Sequence, residues 1–204
     1  MKKLRCSATI LALFLLAGCG GNVPLVLEEN QAKTQSSGLF GPKMPKDRPL
    51  AAEEKKGGFD AYFVLAQKES LKWSKDAVLV GAEAQNVDEK GEKAGGTKYD
   101  YSFTSGKHGL TISIAGNNLA FEEKPVDPKA LKIGAFIPAP QAIAAAKTTD
   151  QLKAATFVLA LAHPSDSPTT VFLVAELKKN PVRVLLNAEN GAVIKVTKEN
   201  PDEK

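Results

Sequence analysis

Residues 97–105 read TKYDYSFTS, and this stretch shows the clearest two-residue alternation in the chain. Tyr99, Tyr101 and Phe103 occupy every second position, with small or polar residues between them. Because successive side chains of a β-strand point to opposite faces of its sheet, the pattern predicts a strand with one aromatic face. A place in the hydrophobic core is favoured for this row. The alternative is an exposed stripe that contacts a partner protein.

Further elements are predicted on both sides of this strand. Residues 57–73, GGFDAYFVLAQKESLKW, place apolar side chains at helical spacing and offer Asp60 as an amino-terminal cap. Residues 76–87, DAVLVGAEAQNV, and 108–124, HGLTISIAGNNLAFEEK, are typical of strands, the second broken at GNN. We therefore expect one helix and three strands over residues 59–124, with a short extension of the last strand.

The same order of elements recurs after KPVDPK at 124–129. A proline-marked helix at 138–147 precedes strand-like runs at 154–163, 169–177 and 182–196. The sequence therefore predicts an α+β fold of two tandem α-β-β-β repeats, residues 59–124 and 125–198, followed by a tail at 199–204. Each helix would cover one face of an antiparallel sheet. The alternative is one mixed domain in which the repetition is coincidental.

The second repeat resembles the PepSY type of module. The resemblance lies in PAPQAIAAAK at 138–147, TVFLVAEL at 170–177 and VRVLLNAENGAVIKV at 182–196, and the first repeat is similar in DAVLVGA and YDYSF. Asn187 departs from the pattern, since an aspartate is commoner there. The helix-and-sheet repeats are also similar in architecture to cystatin-like folds and to secreted β-lactamase-inhibitor proteins. These resemblances imply binding or inhibition of a partner protein and no catalysis.

The chain begins with the features of a secretory signal. MKKLR at 1–5 is a positively charged start, and residues 6–18 are apolar and end in small side chains. This apolar run is shorter than the roughly 20 residues that a membrane-spanning helix needs. Leu16, Ala17, Gly18 and Cys19 resemble the lipobox of bacterial lipoproteins. The alternative is an ordinary secretory signal with an incidental cysteine.

The lipobox resemblance implies removal of the signal peptide 1–18 and attachment of acyl chains, such as palmitate, to Cys19. Several acyl chains would give a lasting membrane anchor. The residue after Cys19 is Gly20 and not aspartate. In Gram-negative lipoproteins this resembles the pattern of proteins sent on to the outer membrane, which implies that location, facing the periplasm, in such a cell. Residues 19–58 have the composition of a flexible linker with a brief apolar interruption, VPLVL. This interruption is interpreted as solvated linker, although it could dock on the domain or on lipid.

Charge and motifs exclude several other functions. Without Lys2, Lys3 and Arg5, the 27 positive charges become 24 against 23 negative ones, so the formal net charge falls from +4 to +1 and nucleic-acid binding is not expected. His108 and His163 lie at turns, and no metal-binding or catalytic motif accompanies them. We therefore expect a monomeric protein that is not an enzyme, needs no cofactor or metal, and binds or inhibits another envelope protein.

The alternative function is a carrier or sensor of a small apolar ligand. It requires an enclosed pocket between helix and sheet, lined by residues such as Phe157, Leu159 and Phe172.

Overall fold

The computed structural model describes residues 42–126, 130–178 and 181–198. This part of the chain contains the helices α1 (Phe59–Trp73) and α2 (Ala139–Lys147). Neither of them is long and apolar enough to cross a bilayer. In chain order, the strands are β1 (Arg48–Pro49), β2 (Val78–Val87), β3 (Lys93–Ser105), β4 (His108–Ala115), β5 (Asn118–Pro125), β6 (Phe157–Ala162), β7 (Val171–Glu176), β8 (Val182–Asn187) and β9 (Val193–Lys198).

All of these strands join one sheet in the order β1-β5-β4-β3-β2-β6-β7-β8-β9. Every neighbouring pair is antiparallel. The two halves of the chain meet at the centre, where β2 pairs with β6 and Ala82 lies opposite Leu161. The sheet therefore continues without a break from one half to the other.

Both helices cover the same face of this sheet. Tyr101, Ala82, Leu161 and Phe172 follow one another across four paired strands, so their side chains share a face. Phe59 of α1 contacts both Tyr101 and Phe172. The buried side chains of α2 belong to the same hydrophobic cluster. The opposite face carries no helix from the described part of the chain.

The predicted antiparallel strands and two helices are confirmed, but the strands form one large sheet, whereas a separate antiparallel sheet was expected in each repeat. Each half contains a helix followed by four strands, because residues 118–125 and 193–198 form the full strands β5 and β9 instead of short extensions. One hydrophobic cluster runs through both halves. That the halves are PepSY-like repeats stays a prediction.

The folded part begins earlier than predicted. Leu50 is buried, with 3% of its surface exposed, and its N–H donates to the carbonyl of Asn117 at 2.7 Å. Arg48 donates to Glu54 at 2.7 and 2.8 Å and to Glu69 of α1 at 3.0 Å. The hydrogen bond from Arg48 lowers the pKa of Glu54 to about 2. Residues 48–54 are thus held against the domain, which corrects the predicted linker boundary at residue 58. Residues 19–41 of that linker, the signal peptide and the tail 199–204 lie outside the described residues.

The aromatic row on β3 lies beneath α1. Tyr99, Tyr101 and Phe103 expose 0%, 0% and 2% of their surface. The Tyr101 hydroxyl donates to the Phe59 carbonyl at 2.6 Å, and the rings of Tyr99 and Tyr62 lie 5.0 Å apart. Burial raises the pKa of Tyr101 well above its ordinary value. These rings are therefore core and do not form the exposed partner-contact stripe that was the alternative interpretation.

Asp60 links the two helices. It lies in the first turn of α1, and both of its carboxylate oxygens accept the N–H of Ala139, the first residue of α2, at 3.1 Å. An N–H in the first turn of a helix has no partner within that helix, so Asp60 supplies one. Burial raises the pKa of Asp60 to about 6, although this hydrogen bond acts in the opposite direction. The cap predicted for α1 therefore serves the helix of the other half.

Candidate functional site

A groove of about 890 Å³ lies at one end of the sheet and is lined by strands of both halves. Three neighbouring strands line it with side chains or backbone on the face that carries no helix. These residues are Gly81 of β2, Ser102 and Thr104 of β3, and Thr111 of β4. The end of β5 and the 163–168 loop between β6 and β7 also contribute, as does Ile194 of β9. The groove therefore reaches from one half of the molecule to the other.

An apolar cluster forms the helix-free face of β6 and β7. Ala160, Val171, Leu173 and Ala175 are buried and form a hydrophobic cluster separate from the main core. The partly buried apolar residues that pack against this cluster belong to the same face: Val158, Ala162 and Leu185. Of these two sets, Ala162, Val171 and Leu185 line the groove. The groove thus borders a second buried apolar cluster, on the face of the sheet opposite the two helices.

The exposed end of the groove is aliphatic. Ile194 lines the groove and exposes 51% of its surface. It lies on β9, which pairs only with β8 within the sheet and so forms its edge. The groove therefore ends at an exposed aliphatic side chain at the edge of the sheet.

Polar groups form the rim of the groove. The Ser167 hydroxyl donates to the Thr169 carbonyl at 2.8 Å, and His163 Nδ1 lies 3.4 Å from the Lys132 carbonyl. Lys124 Nζ lies 3.0 Å from the Glu122 carboxylate. These contacts hold the rim by local interactions, and about half of the Lys124 side chain remains exposed.

The predicted turn residue His163 lines the groove. Ser165, Asp166 and Ser167 line it from the same short loop. Eight described side chains have a pKa that departs from its ordinary value. None of these eight lines the groove. Among the described residues, no group of three His, Cys, Asp or Glu side chains could hold a metal ion.

The groove is not the pocket that the carrier hypothesis requires. Phe157, Leu159 and Phe172 have no exposed surface and lie in the main core, on the face that the helices cover. The groove lies on the opposite face. Of the predicted site residues, Leu16, Ala17, Gly18 and Cys19 lie outside the described residues.

Of the residues singled out in the sequence, Phe103 and His163 line the groove, and its other lining residues were not predicted. A usable signal exists in FVLALA at 157–162 and VFLVAE at 171–176, which are apolar at nearly every position. A strand of a half-covered sheet alternates apolar and polar side chains, so continuous apolar strands indicate that both faces are buried or bind something.

Comparisons with known proteins bear on the fold. The chain matches no protein family model and no curated protein sequence. It is similar to the crystal structure of a protein from Clostridium difficile 630 that is provisionally described as a lipoprotein, with a TM-score of 0.52 and 16% sequence identity. The similarity covers 74% of this chain and 99% of that chain. At this level of identity the two proteins share a fold.

Proposed function

We propose that this chain is a bacterial lipoprotein of the cell envelope, anchored through acyl chains on Cys19. The charged start, the short apolar run and the lipobox-like residues 16–19 support this assignment. The structural similarity to a protein described as a lipoprotein agrees with it. In a Gram-negative cell, Gly20 after the anchor favours the outer membrane, facing the periplasm.

The domain is proposed to bind another envelope protein through the groove, without catalysis. The single observation that supports this most strongly is the apolar groove on the helix-free face, which both halves build and which ends at the exposed Ile194. Protein contact sites place apolar side chains at the centre and polar groups around them. The groove has this arrangement, with Val171 and Leu185 inside and Lys124 and the 163–168 loop at the rim. The resemblance to PepSY-like modules supports the same function.

A carrier of a small apolar ligand is the second candidate. The volume of about 890 Å³ supports it, because sites for small molecules commonly measure about 300–1,000 Å³. Such a ligand would lie on the helix-free face and not between helix and sheet.

The test is photo-crosslinking in intact cells with a benzophenone amino acid at Ile194 or, as a control, at Val64. Both residues are exposed aliphatics, with 51% and 49% of their surface accessible, but Val64 lies on α1 at the opposite face. We expect one envelope protein to be captured from position 194 and not from position 64. Equal capture at both positions, or capture from position 64 alone, would refute the groove as the binding surface.

A further inference from the structure

The two edges of the sheet differ in what they offer to another chain. At the β5 edge, β1 pairs with the first two residues of the strand, and Asp47 accepts the N–H of Phe121 at 2.9 Å. The strand ends at Pro125, which has no N–H to donate. Short edge strands and prolines limit further pairing. The β5 edge is therefore partly closed.

The other edge is β9, which is open along its length. Its six residues read VIKVTK, and in the described part of the chain it pairs only with β8. Five of the six residues are exposed, and Val196 is partly buried against the main core. The strand contains no proline, and its Val, Ile and Thr residues favour extended backbone. The edge is therefore suited to pairing with a further strand.

The backbone of Val196 is directed toward the open side of β9. Hydrogen-bonded and non-hydrogen-bonded pairs alternate along an antiparallel ladder. The N–H of Asn187 donates to the carbonyl of Ala192 at 2.8 Å, so every second residue of β8, counted from Asn187, bonds to β9. Val184 lies opposite Val196 and is not in that set. The N–H and the carbonyl of Val196 therefore face away from β8.

The open edge adjoins the groove. Ile194 of β9 and Leu185 of β8 both line the groove. Successive side chains of a strand point to opposite faces of its sheet. A strand added to β9 would therefore place every second side chain at the exposed end of the groove, and the side chains between them would extend the helix-covered face beside Val196.

The charge at this edge favours an acidic occupant. Lys195 and Lys198 are exposed, and neither forms an ion pair with another described residue. No residue of β8 or β9 is acidic, and Glu189 lies in the turn between them. A second copy of β9 would bring its own lysines to this edge, and like charges on neighbouring strands destabilise their pairing. A segment that carries Asp or Glu side chains would complement the lysines.

We propose that the partner adds an extended, acidic segment to β9 as a further strand of the sheet. This inference rests on the proposed function and states how the partner binds. Hydrogen bonds between the two backbones would provide affinity, as in other complexes formed by strand addition. Contacts with Ile194 and the two lysines would select the segment.

The first test maps the partner residues that lie beside β9. The benzophenone amino acid is placed at Val193 or at Thr197 of the full chain in intact cells, and mass spectrometry identifies the partner residue that each probe joins. Val193 lies opposite Leu186, and Thr197 lies opposite Arg183, three positions away on β8. The joined residues should therefore lie about three to four positions apart, within one segment that contains Asp or Glu. Joined residues in separate segments, in another copy of this chain, or mainly in lipid would overturn the proposal.

The second test separates backbone pairing from side-chain contact. Val196→Pro removes the N–H that faces the open side, at an edge position of the kind where proline is tolerated. Val196→Ala also shortens the side chain but keeps that N–H, so it is the control. With the probe at Ile194, we expect the yield of crosslinked partner to fall about tenfold or more in the proline variant and less than about twofold in the alanine variant. Equal yields from the two variants, both folded by circular dichroism, would overturn strand addition.

A third test leaves the backbone intact and so does not depend on the folding of a proline variant. Lys195→Glu with Lys198→Glu reverses the charge of the edge and should lower the same yield about tenfold. The control is Lys75→Glu with Lys90→Glu, which reverses two exposed lysines in other turns and should change the yield little. An equal effect of the two double variants would overturn the acidic occupant.

The binding function and the strand addition can be told apart when they fail. Capture of one envelope protein from position 194, with equal yields from the two Val196 variants, would remove strand addition and leave the binding function. No capture from positions 193, 194 and 197 would remove the binding function, and strand addition with it.

Discussion

Asp60 joins the two helices through a single carboxylate, and its titration is coupled to folding. The folded protein holds the pKa of Asp60 at about 6, against 3.8 for the ordinary side chain. Well below pH 3.8 both the folded and the unfolded chain are protonated at this residue, so its titration makes no difference to stability. As the pH rises toward 6 the unfolded chain loses this proton first, and the free energy of unfolding falls.

Replacement of Asp60 by asparagine should remove this pH dependence, because asparagine keeps an acceptor oxygen for the Ala139 N–H but carries no charge. From pH 3.5 to pH 7, the wild-type free energy of unfolding should decrease by up to about 3 kcal/mol relative to that of Asp60→Asn. Urea denaturation of both proteins at several pH values measures this difference. Parallel pH profiles would contradict the expected coupling.

Gly91 should be sensitive to substitution for two separate reasons. Its φ of +72° disfavours a side chain, and an added Cβ would lie 2.9 Å from the Cβ of Ala139 in α2. Gly95 has a φ of +98° with nothing within 4 Å of an added Cβ, so it serves as the control. We expect Gly91→Ala to lower the free energy of unfolding by about 1–3 kcal/mol more than Gly95→Ala does. Equal losses of stability in the two variants would show that contact with Ala139 of α2 does not limit substitution at Gly91.

At the scale of single residues, the sequence pattern predicts which side chains are buried better than it predicts their hydrogen-bond partners. The alternation of Tyr99, Tyr101 and Phe103 and the helical spacing in residues 59–73 correspond to buried side chains. The bond from Asp60 to Ala139 could not be predicted, because it joins residues 79 positions apart whose meeting depends on the complete fold.

Among the elements, β1 depends on contacts that are distant in sequence. It contains two residues, one of them proline, and the chain offers no periodic pattern there. Its position is held by β5 and by the Arg48 contacts with Glu54 and Glu69. The strands β2, β3 and β4 have patterns of their own and were predictable. The groove was not, because its walls are the ends of strands far apart in the chain.

Arg48→Ala should loosen β1 from α1. Removal of the guanidinium leaves the largely buried Glu69 with Lys72 as its remaining ion-pair partner. We expect the free energy of unfolding to fall by about 1–2 kcal/mol, with faster hydrogen exchange at the Leu50 amide. Lys98→Ala, which removes an exposed ion pair with Asp100, is the control and should cost less than about 0.5 kcal/mol. Unchanged hydrogen exchange at the Leu50 amide would contradict a role for Arg48 in holding β1 against α1.

For the whole molecule, the proposed anchor depends on Cys19 alone. Cys19→Ala should leave the domain folded and should prevent membrane retention, because the acyl chains supply the attachment. Fractionation of cells after detergent-free lysis and a high-salt wash measures retention, and circular dichroism of the purified variant checks folding. A folded variant that still sediments with the membranes would contradict the anchor.

The most direct test of the central claim compares Ile194→Asp with Val64→Asp in living cells. A charge at position 194 would be placed at the exposed apolar end of the groove, whereas a charge at position 64 lies on the far side of the molecule. The measurement is the amount of partner joined to each variant by a lysine-reactive chemical crosslinker, at equal expression and after equal thermal stability has been verified. If the groove is the contact surface, the amount of crosslinked partner should fall about tenfold or more for Ile194→Asp and should change little for Val64→Asp. Equal amounts of partner on both variants would contradict it.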